Sequence, residues 1–249
     1  MEEMRSFRLL NEISEALPEW ELILVFHESI DARKRHPRLL QGLPKNCRVV
    51  PIHGKFNFSR FANLGIDAST GEVIILMNDD ITVSDYQRLR ELADACQDTS
   101  QGGFFGVRLH DAKGELSHDG VSLGFFRGAR NIREPIPVTE LSKVPGFHHA
   151  RKVAAVTFAL VGFRRDTVYT CGLLDENLPY GLQDVDICLK ANALGFDNYC
   201  LDVGEVVHLE GATRGNPRAL KNWWVTLRDT LVFRKRHLLL RGNLSNPLV

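Results

Sequence analysis

Three polar clusters in this chain carry the residue types that chemistry at an anionic leaving group needs. The decapeptide GEVIILMNDD, Gly71 to Asp80, holds five consecutive apolar residues and ends in an amide and two carboxylates. An uninterrupted apolar run suits a strand buried on both faces, and in open α/β sheets ligands bind off the carboxyl ends of such strands. Asn78, Asp79 and Asp80 are thereby placed as hard oxygen ligands that could hold Mg²⁺ or Mn²⁺ against a diphosphate. The same residues could instead cap the next helix and turn the chain, and the decapeptide alone leaves both readings open.

The second cluster is YGLQDVD, Tyr180 to Asp186, which runs into the helical pattern ICLKANALGF. Asp184 and Asp186 stand at a helix start, where the backbone dipole favours ionised carboxylates, and a charged, positioned carboxylate can accept the proton of an attacking hydroxyl. Ordinary N-terminal capping is the competing explanation. The third cluster, VVHLEGATRG, puts His208 after a strand and Arg214 in a loop between glycines. A lone histidine there also suits a structural role. Arg214 matches phosphate oxygens with its planar fork, and suits solvated surface equally.

The elements that would position these clusters alternate. Ser6 to Leu17 has helical period and stops at Pro18, and ELILVF, Glu21 to Phe26, reads as a buried strand. Helical spacing from about Ala32 to Leu40 leads to a strand at Cys47 to Ile52. Asn57 or Ser59 can cap a helix that runs to about Ser69, and a further helix is expected from Ser84 to about Cys96. This order predicts an α/β fold with a doubly wound, mostly parallel sheet. After Gly102 short strands joined by a turn at Asp111 to Gly114 suggest a small antiparallel edge sheet. Phe126 to Arg151, with three prolines and two glycines, reads as a long surface loop, of a length that in compact domains tends to serve as a lid or binding loop. Val153 to Phe163 is expected as one apolar strand, Arg165 to Cys171 as a short helix, and Gln183 to Leu194 as a longer one.

Composition narrows the class. With 249 residues and 44% hydrophobic content the chain can bury a full core. No apolar run approaches the roughly 18 residues that span a bilayer, and MEEMRSF lacks the regions of a signal peptide, so a soluble, cytoplasmic protein is expected. The five cysteines are widely spaced without a CxxC pair and read as reduced core thiols. Net charge is zero, but from Gly215 onward seven Lys or Arg face one acid, which leaves 24 basic against 30 acidic residues in the rest. In that +6 tail Leu220, Trp223, Trp224, Leu227 and Leu231 fall at helical spacing. The stripe suits packing on the domain or on a second copy of the chain, or contact with the inner face of a membrane. Nucleic-acid binding is disfavoured because no recognised motif accompanies the charge.

Taken in order, FNFSRFANLGIDASTGEVIILMNDD, GELSHDGVSLG, AVTFALVGFRRDTVYTCGLLDENLPYGLQDVDICLKANALGF and VVHLEGATRG resemble the successive blocks of family 2 glycosyltransferases, near the bacterial rhamnosyltransferase-like branch. The resemblance covers about Glu21 to Gly215. It implies a GT-A domain over residues 1–214 followed by a basic helical tail over 215–249, and inverting transfer of a sugar from a nucleoside diphosphate to a saccharide or lipid-linked acceptor hydroxyl in bacterial polysaccharide or glycoconjugate synthesis. It also implies Asp80 as direct ligand of a divalent metal beside Asn78 and Asp79, His208 as a further ligand, and Asp184 as the base. Asp186 and Gln183 would lie on the acceptor side, and Asp31, Asn57, Arg60, Asn63 and Arg214 on the nucleotide side.

Three departures from the family pattern bear on the site. Only twenty residues precede ELILVF, where the family normally has a first strand and a Pro-containing turn. The first acid of the metal motif is Asn78, and Gln183 stands where Glu is commoner; both changes remove negative charge near a diphosphate. The absent strand motivates an alternative, a catalytically silent GT-A module that serves in binding or assembly. A nucleotidyltransferase would need a Gly-rich phosphate loop near the start, and the sequence has none.

Overall fold

The computed structural model describes residues 2–27, 42–124, 128–132, 136–137, 150–209 and 220–238. Asp31, Arg214 and the helix expected near 32–40 lie outside the described residues. In chain order the elements are α1 (Glu2–Ala16), β1 (Leu22–His27), β2 (Cys47–Ile52), α2 (Phe58–Ala68), β3 (Val73–Met77) and β4 (Ile81–Val83). A 3₁₀ turn at Tyr86–Arg88 leads into α3 (Leu89–Asp98), β5 (Gly102–Val107), β6 (Leu109–His110), β7 (Glu115–His118), β8 (Val121–Gly124), β9 (Gly128–Asn131) and β10 (Ile136–Pro137). There follow β11 (Arg151–Val153), β12 (Leu160–Arg164), α4 (Arg165–Thr170), α5 (Gln183–Ala193), β13 (Asp197–Leu201), β14 (Val206–His208) and α6 (Leu220–Leu238).

The central sheet has the order β11-β13-β5-β12-β3. Strands β3, β5 and β13 share one direction, while β12 runs antiparallel between β3 and β5, and β11 antiparallel along β13. The expected parallel arrangement therefore holds for three strands and is interrupted by a reversed one. A parallel pair β1-β2 stands as its own sheet, and β10-β7-β6-β14-β4 forms the second five-stranded sheet.

Strand alternation sends neighbouring side chains to opposite faces, and β5 shows it: Phe104 joins one core and Phe105 the other. Phe104 packs edge-on to Phe163 at 5.4 Å beneath Ala62 and Ile66 of α2, Val168 of α4 and Ile187 and Ala191 of α5. On the opposite face Leu10 and Ile13 of α1 meet Leu89 and Leu92 of α3 and Leu160 of β12. Burying each such ring or branched chain contributes about 1.5–3 kcal/mol. The five cysteines are all free, four of them buried, and burial pushes the Cys96 thiol up to about 12 and Cys171 up to about 11.

Several expectations are corrected. The apolar run Val153 to Phe163 is not one strand: β11 and β12 lie in different places in the sheet, with Ala154 to Ala159 crossing between them. Asparagines and amides satisfy the carbonyls of that crossing. Asn192 and Asn198 donate to Ala154 O, Val121 N to Ala155 O, and Asn78 N to Ala159 O. The segment Phe126 to Arg151 is not wholly loop, because β9 pairs with β8 and β10 with β7. The acidic cluster at Asp80 does not begin a helix. The strand β4 intervenes, and Asp85 is the residue that caps the following 3₁₀ turn, by accepting from Gln87 N at 2.9 Å.

Helix α6 presents a different face to the domain than its leucine spacing suggests. Phe233 is buried in the core and Asp229 is 1% exposed, whereas Leu231 is 58% exposed. Asp229, Phe233 and His237 recur every four residues and form the inward stripe, so Leu231 faces away. The side chains of Trp223 and Trp224 lie outside the described residues. Among the described residues no helix is long and apolar enough to cross a membrane.

Candidate active site

β3 ends at Met77 and the chain turns through Asn78, Asp79 and Asp80 into β4, which pairs antiparallel with β14, so that His208 lies opposite Ile81. Leu209 N donates to Asp80 O at 2.9 Å and fixes the turn. Asp80 is 6% exposed, and its Oδ1 makes no hydrogen bond. His208 Nε2 is 3.2 Å from that oxygen but out of hydrogen-bonding alignment.

A buried carboxylate oxygen left without a hydrogen bond costs about 1–3 kcal/mol or more. With an imidazole nitrogen beside it, the pair has the spacing of two neighbouring ligands of one ion, whose ligand distances are about 2.0–2.2 Å. Asp80 and His208 thus offer two adjacent donors of a kind that would suit a divalent cation. No group of three or more His, Cys, Asp or Glu gathers for a metal among the described residues. Asn78 is half-buried and Asp79 exposed at the same turn.

A cavity of about 380 Å³ opens beside this pair. Its walls include His208, Asp184 at the start of α5, His118 of β7, Arg130 and Asn131 of β9, and Thr157 of the crossing segment. Asp184 is the second residue of α5, and its Oδ1 accepts from Val185 N at 2.9 Å. The fold therefore brings Asp184 and His208 to one space. Sequence reading missed the opposite wall. His118 Nε2 accepts from Gly120 N at 3.2 Å and Thr157 N at 3.3 Å, so Nδ1 carries the proton and donates to Asn131 Oδ1 at 3.0 Å. Full burial holds this imidazole neutral, with its pKa pushed down to about 4. Beside it Asp119 is held by Arg151 at 2.8 Å and Arg108 at 3.4 Å, and Arg108 also pairs with Asp202 at 2.6 Å. The motif SHDG was the available signal, a titratable pair before a glycine. Gly120 adopts φ +89°, and a Cβ there would meet Val153 Cγ1 at 2.6 Å.

The segment that delivers Asp184 is irregular and held from outside. Leu173 and Leu182 bracket it in left-handed backbone at φ 61° and 64°, a conformation that costs an ordinary residue about 1–2 kcal/mol. Asn63 of α2 grips Leu174 at both backbone groups, its Nδ2 donating at 2.9 Å and its Oδ1 accepting at 3.0 Å. Asn57 Nδ2 donates to Glu176 O at 2.8 Å, while its Oδ1 accepts from Arg60 N at 3.1 Å. Ser59 Oγ donates to Leu178 O at 2.8 Å. The side-chain amides expected at a nucleotide are thus engaged with the segment ahead of Asp184. Arg60 is exposed at the start of α2.

From the other side comes α6. Asp229 Oδ2 accepts from Tyr180 N at 3.2 Å and Gly181 N at 3.1 Å, and burial raises the carboxyl's pKa. Asp186 is wholly buried. Lys190 holds one of its oxygens at 2.8 Å and His237 the other at 2.8 Å, so its carboxylate ties α5 to α6 and is not part of the cavity wall. Gln183 is 7% exposed and likewise is not among the wall residues.

Comparison with known proteins places these features. The curated relatives include an uncharacterised protein, y4gI, of Sinorhizobium fredii (strain NBRC 101917 / NGR234), 29% identical over 199 residues, which cover 79% of this chain and 22% of the relative. The O-antigen biosynthesis protein RfbC of Myxococcus xanthus is 29% identical over 200 residues, which cover 79% of this chain and 15% of the relative. The chain thus spans less than a quarter of either protein. Among solved structures, GalNAc-T7 with UDP, GalNAc and Mn²⁺ superposes at a TM-score of 0.57 with 17% identity, covering 83% of this chain and 41% of that one. That likeness gives the fold, a GT-A type of α/β domain. The family described as "Glycosyl transferase family 2" matches residues 7–150, more than half of the chain, and the protein belongs to that glycosyltransferase family.

Proposed function

We propose that the chain transfers a sugar from a nucleoside diphosphate sugar to an acceptor hydroxyl with inversion at the anomeric carbon. The observation that supports this most is the meeting of Asp184 and His208 on one cavity, with the unsatisfied Asp80 oxygen beside His208. Asp184 takes the proton of the acceptor hydroxyl as that oxygen bonds to the anomeric carbon. The bond from that carbon to the diphosphate oxygen breaks, and its electron pair leaves on the nucleoside diphosphate. Asp80 and His208, with Asn78 and Asp79 at the same turn, would hold Mg²⁺ or Mn²⁺, which supplies neutralisation of the leaving diphosphate when bound.

Arg130 brings a guanidinium to the cavity and can add to that neutralisation. His118, neutral and locked in one tautomer, shapes the wall without exchanging protons. Tyr180 and Phe56, both exposed with ring centroids 5.6 Å apart and outside the cavity wall, would offer apolar ring faces to a bound sugar. The O-antigen role carried in the name of the Myxococcus relative supports polysaccharide or glycoconjugate synthesis as the setting. The outward face of α6, with Leu231 beside the exposed Arg234 and Lys235, suits peripheral contact with an anionic membrane that carries a lipid-linked acceptor.

Calorimetry with UDP-, GDP- and dTDP-sugars, with and without Mn²⁺, tests the reading. One donor class is expected to bind, and to bind more tightly with Mn²⁺. Failure of every donor to bind would favour a silent module.

A further inference from the structure

The C-terminal helix contains a single acid against five basic residues, and that acid is buried. We infer that Asp229 is a positioning residue for Asp184: its carboxylate sets the turn that launches the helix bearing the base. This inference rests on the reading of Asp184 as the proton acceptor.

The geometry carries it in three parts. First, one oxygen of Asp229 accepts the amides of two successive residues, Tyr180 and Gly181, at 3.2 and 3.1 Å. Second, the next residue, Leu182, is held at φ 64° immediately before α5. A leucine stays in that conformation only where its surroundings over-determine it, and the clamp sits one residue away. Third, the same helix grips α5 again through His237 and Asp186 Oδ1 at 2.8 Å, two residues beyond Asp184. Phe233, between the two grips, is buried in the core and seats the helix. Asp184 therefore lies between two contacts made by one helix that falls outside residues 7–150, the span matched by the family. An acid buried against bare amides is an expensive choice in a basic tail, and the loop gains from it a defined entry angle for the base.

Two variants of the full chain test the proposal, Asp229→Ala and Asp229→Asn, each compared with the wild type. Amide hydrogen exchange at Tyr180 and Gly181 is measured together with nucleoside diphosphate release. The release assay uses the donor sugar that binds the wild type, with a panel of p-nitrophenyl glycosides as acceptors. In Asp229→Ala the two amides are expected to exchange faster by about tenfold or more. Its kcat should fall about 10- to 100-fold at unchanged donor KM, the cost of a misplaced catalytic group. Asp229→Asn keeps an oxygen that accepts both amides and should recover most of both losses.

Unchanged exchange in Asp229→Ala overturns the clamp, and faster exchange with wild-type kcat overturns its link to the base. If Asp229→Ala does not fold, Asp229→Glu displaces the carboxylate by one methylene and carries the same comparison. A wild type that releases no diphosphate from any donor counts against the functional reading of Asp184, while the exchange data still report on the clamp.

Discussion

The two halves of the candidate site are held in different ways. On the side of Asp184 the backbone is fastened by side chains: Asn63, Asn57 and Ser59 hold it from Leu174 to Leu178, and Asp229 Oδ2 holds the next turn, while the buried Gln183 Oε1 and Asp229 Oδ1 make no hydrogen bond. His118 on the facing wall is bonded at both nitrogens. On the metal side Asp80 Oδ1 is buried beside His208 without a hydrogen bond. The difference lies in what fastens the backbone: side chains of α2 and α6 hold the segment before Asp184, whereas the Asp80 turn is held by the backbone bond from Leu209 N and, in the proposed function, would be completed by a bound ion.

If so, substitutions on the two sides should separate stability from binding. The largest effect is expected from Asp80→Ala, which should weaken Mn²⁺-dependent donor binding by about 100-fold, the upper end of what loss even of a metal ligand's outer partner costs. The melting temperature of the ligand-free protein should hold or rise, because a buried unsatisfied oxygen is removed. Calorimetry and a thermal melt on the same sample check both halves, and a large fall in melting temperature would break the contrast.

His118 sharpens the comparison through pH. Its folded pKa, about 4, lies below the ordinary 6.5, so its contribution to stability is complete above pH 6.5 and is lost as pH falls from 6.5 towards 4. The loss is on the order of 3 kcal/mol. Denaturant midpoints at pH 7 and pH 4 should show it, and His118→Gln should remove that part of the acid sensitivity.

Smaller effects follow on the base side. Asn63→Ala leaves two backbone groups of Leu174 unsatisfied and should cost about 2 kcal/mol of stability, with donor affinity retained. In a chain of this size that is a fall of about 4–8 °C in melting temperature. Ser59→Ala, which removes one buried donor, should cost about 1 kcal/mol. Donor affinity lost in step with stability in these variants would show that the base-side loop also binds the donor.

How much of this was legible in the sequence depended on how local each signal was. Strand β2 falls on the residues its apolar spacing marks, and β3 ends where the acidic cluster begins. Asp184 and His208 were recognisable as motifs, and their meeting on one cavity needed only the order of strand and helix. The crossing at Ala154 to Ala159 was not legible. Its apolar residues satisfy a strand pattern, and only distant asparagines reveal that the backbone leaves the sheet. The clamps were hidden for the same reason: Asn63 and Leu174 are 111 residues apart, and Asp229 and Gly181 are 48 apart. Leucine spacing misplaced the face of α6 because an acid, a phenylalanine and a histidine outweigh Leu231 in seating it. The trace left in the sequence was one acid among many bases.

The central claim is that donor capture and proton removal reside in separate halves of one cavity. Asp184→Asn tests it most directly, with donor affinity measured by calorimetry in Mn²⁺ and nucleoside diphosphate release measured on the same preparation. The account predicts donor affinity equal to wild type and turnover reduced by about 10²- to 10⁴-fold, the loss of a general base. Turnover near wild type would contradict it.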